Sequence, residues 1–121
     1  MNFLGADAGN YRGGREKDIC YIVVHYTGNK GDTARANCVY YQGAGRNASA
    51  HYFVDENEIW QSVAETDTAW HCGTKTGRYF HPECRNSNSI GVEMCSDWSG
   101  GEYVITEPTQ ARAAALVRGL M

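Results

Sequence analysis

The chain lacks any run of about 18 apolar residues, the length a membrane-crossing helix requires, so no membrane span is read in it. Its start, Met1-Asn2-Phe3-Leu4-Gly5, lacks the basic region and apolar core of a secretory signal. The expectation is a protein made in the cytoplasm, with any export by another route. Positive charge is also short. The formal net charge is −3, and Arg12, Arg15, Arg35, Arg46, Arg78, Arg85, Arg112 and Arg118 are scattered rather than gathered in a stripe. Sequence-independent nucleic-acid binding needs clustered cations, so that class is set aside, and an uncharged or zwitterionic polymer is the more natural partner. No Gly-rich phosphate loop, no nucleophile-elbow serine and no internal repeat is present. The five cysteines, Cys20, Cys38, Cys72, Cys84 and Cys95, are odd in number and irregularly spaced, which favours free thiols over a disulfide framework.

What the chain does have suits a folded domain. At 121 residues it is one domain or most of one, and 42% hydrophobic with 12% aromatic residues is enough for a core. Ile19-Cys20-Tyr21-Ile22-Val23-Val24-His25-Tyr26 is a short apolar, β-branched run, read as a strand buried on both faces. Asp32 or Thr33 caps a helix from Ala34 to about Gln42, ended by Gly43-Ala44-Gly45. His51 to Val54 and Ile59 to Val63 flank a polar turn and predict a β-hairpin. The segment from Gly73 to Asn88 reads as a long loop, Ser89 to Cys95 as a strand and Ser96 to Gly101 as a turn. Thr106 and Pro108 open a last helix with Ala113, Leu116, Val117 and Leu120 on one face. Residues 1–18 read as an irregular lead-in. Strands interleaved with helices, one pair forming a hairpin, predict an α/β fold with a mixed central β-sheet flanked by helices. An apolar helical turn with uncapped carbonyls at Leu120-Met121 predicts that a C-terminal segment is lacking.

Two residues stand out chemically. His25 closes an apolar strand, where α/β sheets bind ligands, although a buried histidine bonded to a carbonyl fits the same pattern. Glu93 interrupts Ile90-Gly91-Val92-Glu93-Met94, and it lies either on a solvated face or in an enclosed site as a general acid or base. His51 and His71 sit beside aromatics and suit structural roles or contacts to a metal or a substrate amide. His81-Pro82-Glu83-Cys84 resembles half a zinc knuckle, but no second pair of suitable spacing accompanies it. A cysteine nucleophile needs a nearby histidine and often a helix start, and neither Cys20 nor Cys38 is so placed.

Five blocks, in order, resemble the type-2 N-acetylmuramoyl-L-alanine amidases, whose fold is shared with peptidoglycan-recognition proteins. They are Ile22-Val23-Val24-His25-Tyr26-Thr27, Ser49-Ala50-His51-Tyr52-Phe53-Val54-Asp55, Ile59-Trp60-Gln61, Ala69-Trp70-His71-Cys72-Gly73 and Asn88-Ser89-Ile90-Gly91-Val92-Glu93-Met94. The phage and prophage endolysins of Gram-positive bacteria are the nearest in character. The resemblance implies a Zn2+ enzyme acting on peptidoglycan, with His25 as first zinc ligand and Glu93 assisting the metal-bound water. It places His71 and the region of His51 along the substrate groove, with Trp70 and Tyr26 beside them as substrate-binding candidates. The family takes its second histidine and a cysteine or aspartate from a segment past the helix that ends here at Met121. Residues 1–121 are therefore expected to be the amidase domain without that segment. A non-catalytic peptidoglycan-binding module and self-association through the C-terminal helix are the other expectations.

Overall fold

The computed structural model describes residues 1–74 and 76–121; Lys75, within the predicted loop 73–88, lies outside them. Nine strands and two α-helices are laid out in chain order among these residues: β1 (Asn2–Phe3), β2 (Tyr11–Arg12), β3 (Tyr21–Tyr26), α1 (Ala34–Tyr41), β4 (Tyr52–Val54), β5 (Ile59–Gln61), β6 (Thr68–Ala69), β7 (Ser89–Met94), β8 (Asp97–Ser99), β9 (Glu102–Val104) and α2 (Glu107–Leu120). The central sheet has the order β1-β5-β4-β7-β3. It is mixed: β4 and β5 form the antiparallel hairpin, while β4 with β7 and β7 with β3 run parallel.

Helices cover both faces. On one, Ala113 and Leu116 of α2 pack against Tyr52, Val54, Ile90 and Val92. On the other, Ala34 and Cys38 of α1 pack with Ala50, Phe53 and Cys95. Alternation along each strand separates the two sets. Of the apolar stripe of α2, Ala113 and Leu116 are buried, Val117 and Leu120 half-buried, and Met121 after it is exposed.

Asp55 joins three elements. Its Oδ1 accepts from the Asn57 and Glu58 amides at 2.8 and 2.7 Å, closing the hairpin turn, and its Oδ2 accepts from the Ala34 amide at 2.8 Å. A carboxylate at the first turn of α1 satisfies an orphan N–H and favours the positive end of the helix. Thr33 is the N-cap, its Oγ1 accepting from the Ala36 amide at 3.1 Å. Asp32 is left to bond Asn29 and Asn37.

Three readings change. First, β3 is an edge strand paired with β7 alone, so Val24 and Tyr26 remain 44% and 54% exposed rather than buried on both faces. Second, residues 96–101 form half of a hairpin, with Gly100 and Gly101 at φ 61° and 81° making the tight turn between β8 and β9. Third, the lead-in is ordered: β1 adds to the sheet and β2 pairs with β6. All five cysteines are free thiols, Cys38, Cys84 and Cys95 buried and Cys20 exposed.

Candidate active site

The site lies on the α1 face of the sheet. In the parallel register His25 of β3 stands opposite Glu93 of β7, and Glu93 stands opposite Phe53 of β4. Side chains of directly paired residues share a face, so His25 and Glu93 rise on the same side.

Glu93 is enclosed rather than solvated. It lines a hollow of about 430 Å³ with Thr27, Asn29, Asp32, Asn37 and Tyr41. It also lines a neighbouring hollow of about 690 Å³ with Asn47, Ser49, Trp70, His71 and Asn86. Tyr41 and Phe53 line both, so the two hollows meet at Glu93. Burial, with the Asp32 carboxylate adding to it, pushes the Glu93 carboxyl up from 4.5 to about 7. Desolvation disfavours the charged form of an acid, and a like charge reinforces it. The group therefore exchanges its proton near neutral pH.

His25 and His71 form one unit. Nε2 of His25 is 2.9 Å from Nδ1 of His71, with the rings edge to face. Both line a small cavity of about 140 Å³ with Val23, Cys72 and Cys84. Burial, then the neighbouring His25, His51 and Arg15, lowers His71 to about 3, and burial lowers His25 as well. Both rings are neutral at physiological pH. The His71 ring lies against β7 where Gly91 has no side chain: a Cβ there would sit 2.6 Å from His71 Cγ. Asn86 Oδ1 accepts from the amides of His71 and Cys72 at 3.0 and 2.8 Å, holding that backbone in place.

The remaining sequence candidates divide. Trp70 is half-buried in the wall of the larger hollow. His51 corrects the reading of a substrate contact, because it is fully buried. Its Nδ1 accepts from the Gly91 amide at 3.0 Å and its Nε2 donates to the Asp67 carbonyl at 2.9 Å, so the ring ties β4 to β7 and to the 64–67 turn. Tyr26 is next to His25 in sequence but on the other face, in contact with Tyr103 beside Trp98. Period-2 alternation makes that unavoidable. Sequence reading missed Asp32, Tyr41 and Asn86, polar or aromatic residues in loops and helix that carry no motif of their own, and Ser89, which opens β7 inside a quoted block but was given no role. Arg15, also missed, donates to the carbonyls of Glu65, Ser87 and Ser89 and lies 3.1 Å from His51 Nε2.

A carboxyl raised toward neutrality, on the same sheet face as a neutral imidazole, is suited to moving a proton. Comparison with known proteins supplies the family. Residues 15–121 match the family described as N-acetylmuramoyl-L-alanine amidase. The chain is 36% identical to the N-acetylmuramoyl-L-alanine amidase CwlL of Bacillus licheniformis over 82% of this chain and 29% of that protein. To XlyA of Bacillus subtilis it is 32% identical, over 100% of this chain and 38% of that protein. The solved catalytic domain of XlyA superposes with a TM-score of 0.77 at 30% identity, covering 99% of this chain and 74% of that one. A peptidoglycan-recognition ectodomain complex bound to tracheal cytotoxin shares the fold alone, at 14% identity and TM-score 0.63. The chain belongs to the N-acetylmuramoyl-L-alanine amidase family. It spans about a third of the length of these two curated relatives.

Proposed function

We propose that the two hollows meeting at Glu93 bind peptidoglycan across the bond between the lactyl group of N-acetylmuramic acid and the L-Ala of the stem peptide, and that Glu93 moves the proton in its hydrolysis. The observation that carries this reading is the enclosed Glu93 carboxyl, held near neutral pH and sharing a face with His25. In its ionised form Glu93 accepts a proton from the attacking water as the water oxygen bonds the carbonyl carbon. It then returns that proton to the nitrogen as the C–N bond breaks. A group with its pKa near the working pH does both steps well. The wall lies outside the membrane, so this reading also holds that the protein reaches it by cell release or a separate export route.

The family implies zinc. A catalytic zinc takes three protein ligands and an open position. His25 offers one imidazole, but among the described residues no group of three His, Cys, Asp or Glu side chains converges to hold a metal ion. The described residues do not by themselves make a zinc site. That observation favours a second reading for this polypeptide, a module that binds peptidoglycan without cutting it.

A chimera decides between the two readings. The 121-residue chain is continued with the remaining segment of the XlyA catalytic domain, and wall turbidity and wall pelleting are measured with and without Glu93→Gln. The expected result is lysis by the chimera and loss of about 10²–10⁴ in rate on substitution, with wall pelleting unchanged. Near-normal lysis by the Glu93→Gln chimera would remove Glu93 from the chemistry. Pelleting without lysis in either chimera would leave the binding module as the reading.

A further inference from the structure

We propose that Ser89 is a positioning residue: its hydroxyl fixes the tautomer of His71, and through His71 that of His25, so that Nδ1 of His25 is the nitrogen left with a free lone pair. Its catalytic consequence rests on the hydrolytic reading above, while the tautomers follow from hydrogen-bond donors and acceptors alone.

The chain of bonds starts at a carbonyl. Ser89 Oγ lies 2.7 Å from the Arg85 carbonyl oxygen, which only accepts, so the single hydroxyl proton is committed there. The same Oγ lies 3.0 Å from His71 Nε2. With its proton directed elsewhere, Ser89 offers this nitrogen a lone pair, and Nε2 of His71 must carry hydrogen and donate. A neutral imidazole has one N–H, so Nδ1 of His71 is bare. That bare nitrogen faces His25 Nε2 at 2.9 Å, which makes His25 the donor. His25 then holds its one proton on Nε2, and its Nδ1 is unprotonated.

The surroundings keep this order. The opposite assignment with a cationic His71 would place a charge in a buried pocket that already contains His25, His51 and Arg15. Cys72 Sγ lies 3.6 Å from both His71 Nδ1 and Ser89 Oγ and 3.9 Å from His71 Nε2; a thiol is a weak donor, and its proton given to Nδ1 or to Oγ leaves the order of the other protons unchanged. Gly91 beneath the ring and Asn86 on the main chain prevent His71 from turning away. Ser89 is itself fully buried, so no water substitutes for its oxygen. In the reversed tautomer, Nδ1 of His25 would carry hydrogen and lose the lone pair with which an imidazole accepts a proton or a hydrogen bond.

The test reads protons rather than turnover. The 121-residue chain is labelled with 15N-histidine, and long-range 1H–15N spectra are recorded about one pH unit above the ordinary histidine range, where each neutral tautomer gives its own cross-peak pattern. The expected result is the Nε2–H form for His25 and His71 in the native chain. In Ser89→Ala and in the near-isosteric Ser89→Cys, His25 shifts wholly or partly to the Nδ1–H form, and Ser89→Thr, which keeps the hydroxyl, restores it. His51 reports on folding, because its Nε2–H form is set by Gly91 and Asp67 and stays unchanged in every folded variant. An Nδ1–H His25 in the native chain overturns the proposal without any variant. Unchanged His25 and His71 patterns in folded Ser89→Ala or Ser89→Cys overturn the role of Ser89. Neither result bears on wall lysis, so the proposal and the hydrolytic reading fail separately.

Discussion

Glu93 carries a linkage between pH and stability that follows from its surroundings. Its carboxyl sits at about 7 in the folded protein against an ordinary 4.5. A folded pKa above the unfolded one means that the native state holds the proton more tightly. The stabilising contribution is therefore complete below about 4.5, is lost as pH rises through the interval up to about 7, and is absent above it. The interval corresponds to on the order of 3 kcal/mol. Denaturant unfolding at pH 4.5 and at pH 8 is expected to show Glu93→Gln gaining on the native chain by roughly that amount at the higher pH. A pH-independent difference would show that Glu93 is not desolvated. Gly91 supplies a second prediction at this scale. An alanine Cβ would lie 2.6 Å from His71 Cγ, backed by the strand, so the ring must move. Gly91→Ala is expected to destabilise the fold by about 1–3 kcal/mol and to break the His25–His71 contact. Unchanged stability, together with retained His25–His71 proximity in nuclear Overhauser spectra, would contradict it.

At the scale of elements, the groove and the α2 layer lie on opposite faces of one sheet. Leu116 belongs to the core cluster of Tyr52, Val54, Ile90 and Val92, whereas Phe53 and Glu93, which line the hollows, alternate to the other face. Leu116→Ala is thus expected to lower stability by about 2–5 kcal/mol while leaving the His25 and His71 ring signals in place. Loss of those signals in the folded variant would mean that the two layers are coupled. The elements differ in how far the sequence disclosed them, and the reasons are physical. β3, β7, α1, α2 and the β4–β5 hairpin have apolar runs or helical periods long enough to read. β1, β2 and β6 are two residues each, too short for any period, and exist because a partner strand supplies their hydrogen bonds. The β8–β9 hairpin left its signal in Gly100-Gly101 between Trp98 and Tyr103, a two-glycine turn flanked by aromatics. Apolar composition misplaced β3 because a β-branched run looks the same at a sheet edge as at its centre. His25 and Glu93 were legible as polar residues in apolar strands. His51 was not separable from a groove residue, since Ala-His-Tyr-Phe has the same pattern whether the imidazole meets ligand or main chain.

At the scale of the molecule, what matters is which ligands this polypeptide can bring together around a metal ion. It superposes on 74% of the solved XlyA catalytic domain, and the hollows at Glu93 are lined by this chain's own residues. Metal binding needs more than the groove. His25 and His71 are 2.9 Å apart because they are bonded to one another, and an ion entering between them must break that bond and reorient at least one ring. His71 is pinned by Ser89, Asn86 and Gly91, so its reorientation is opposed at three points. Cys72, whose thiol burial pushes up to about 11, must also lose its proton to serve as a ligand, which further weakens binding at neutral pH. The expected outcome is that the 121-residue chain, loaded with zinc and dialysed against metal-free buffer, retains well below one zinc per chain by elemental analysis and shows no lysis of purified walls. Tight zinc at one per chain would overturn this and require a ligand set drawn from His25, His71 and Cys72. Zinc at one per two chains, with dimer on gel filtration only when metal is present, would instead mean a site shared between two copies.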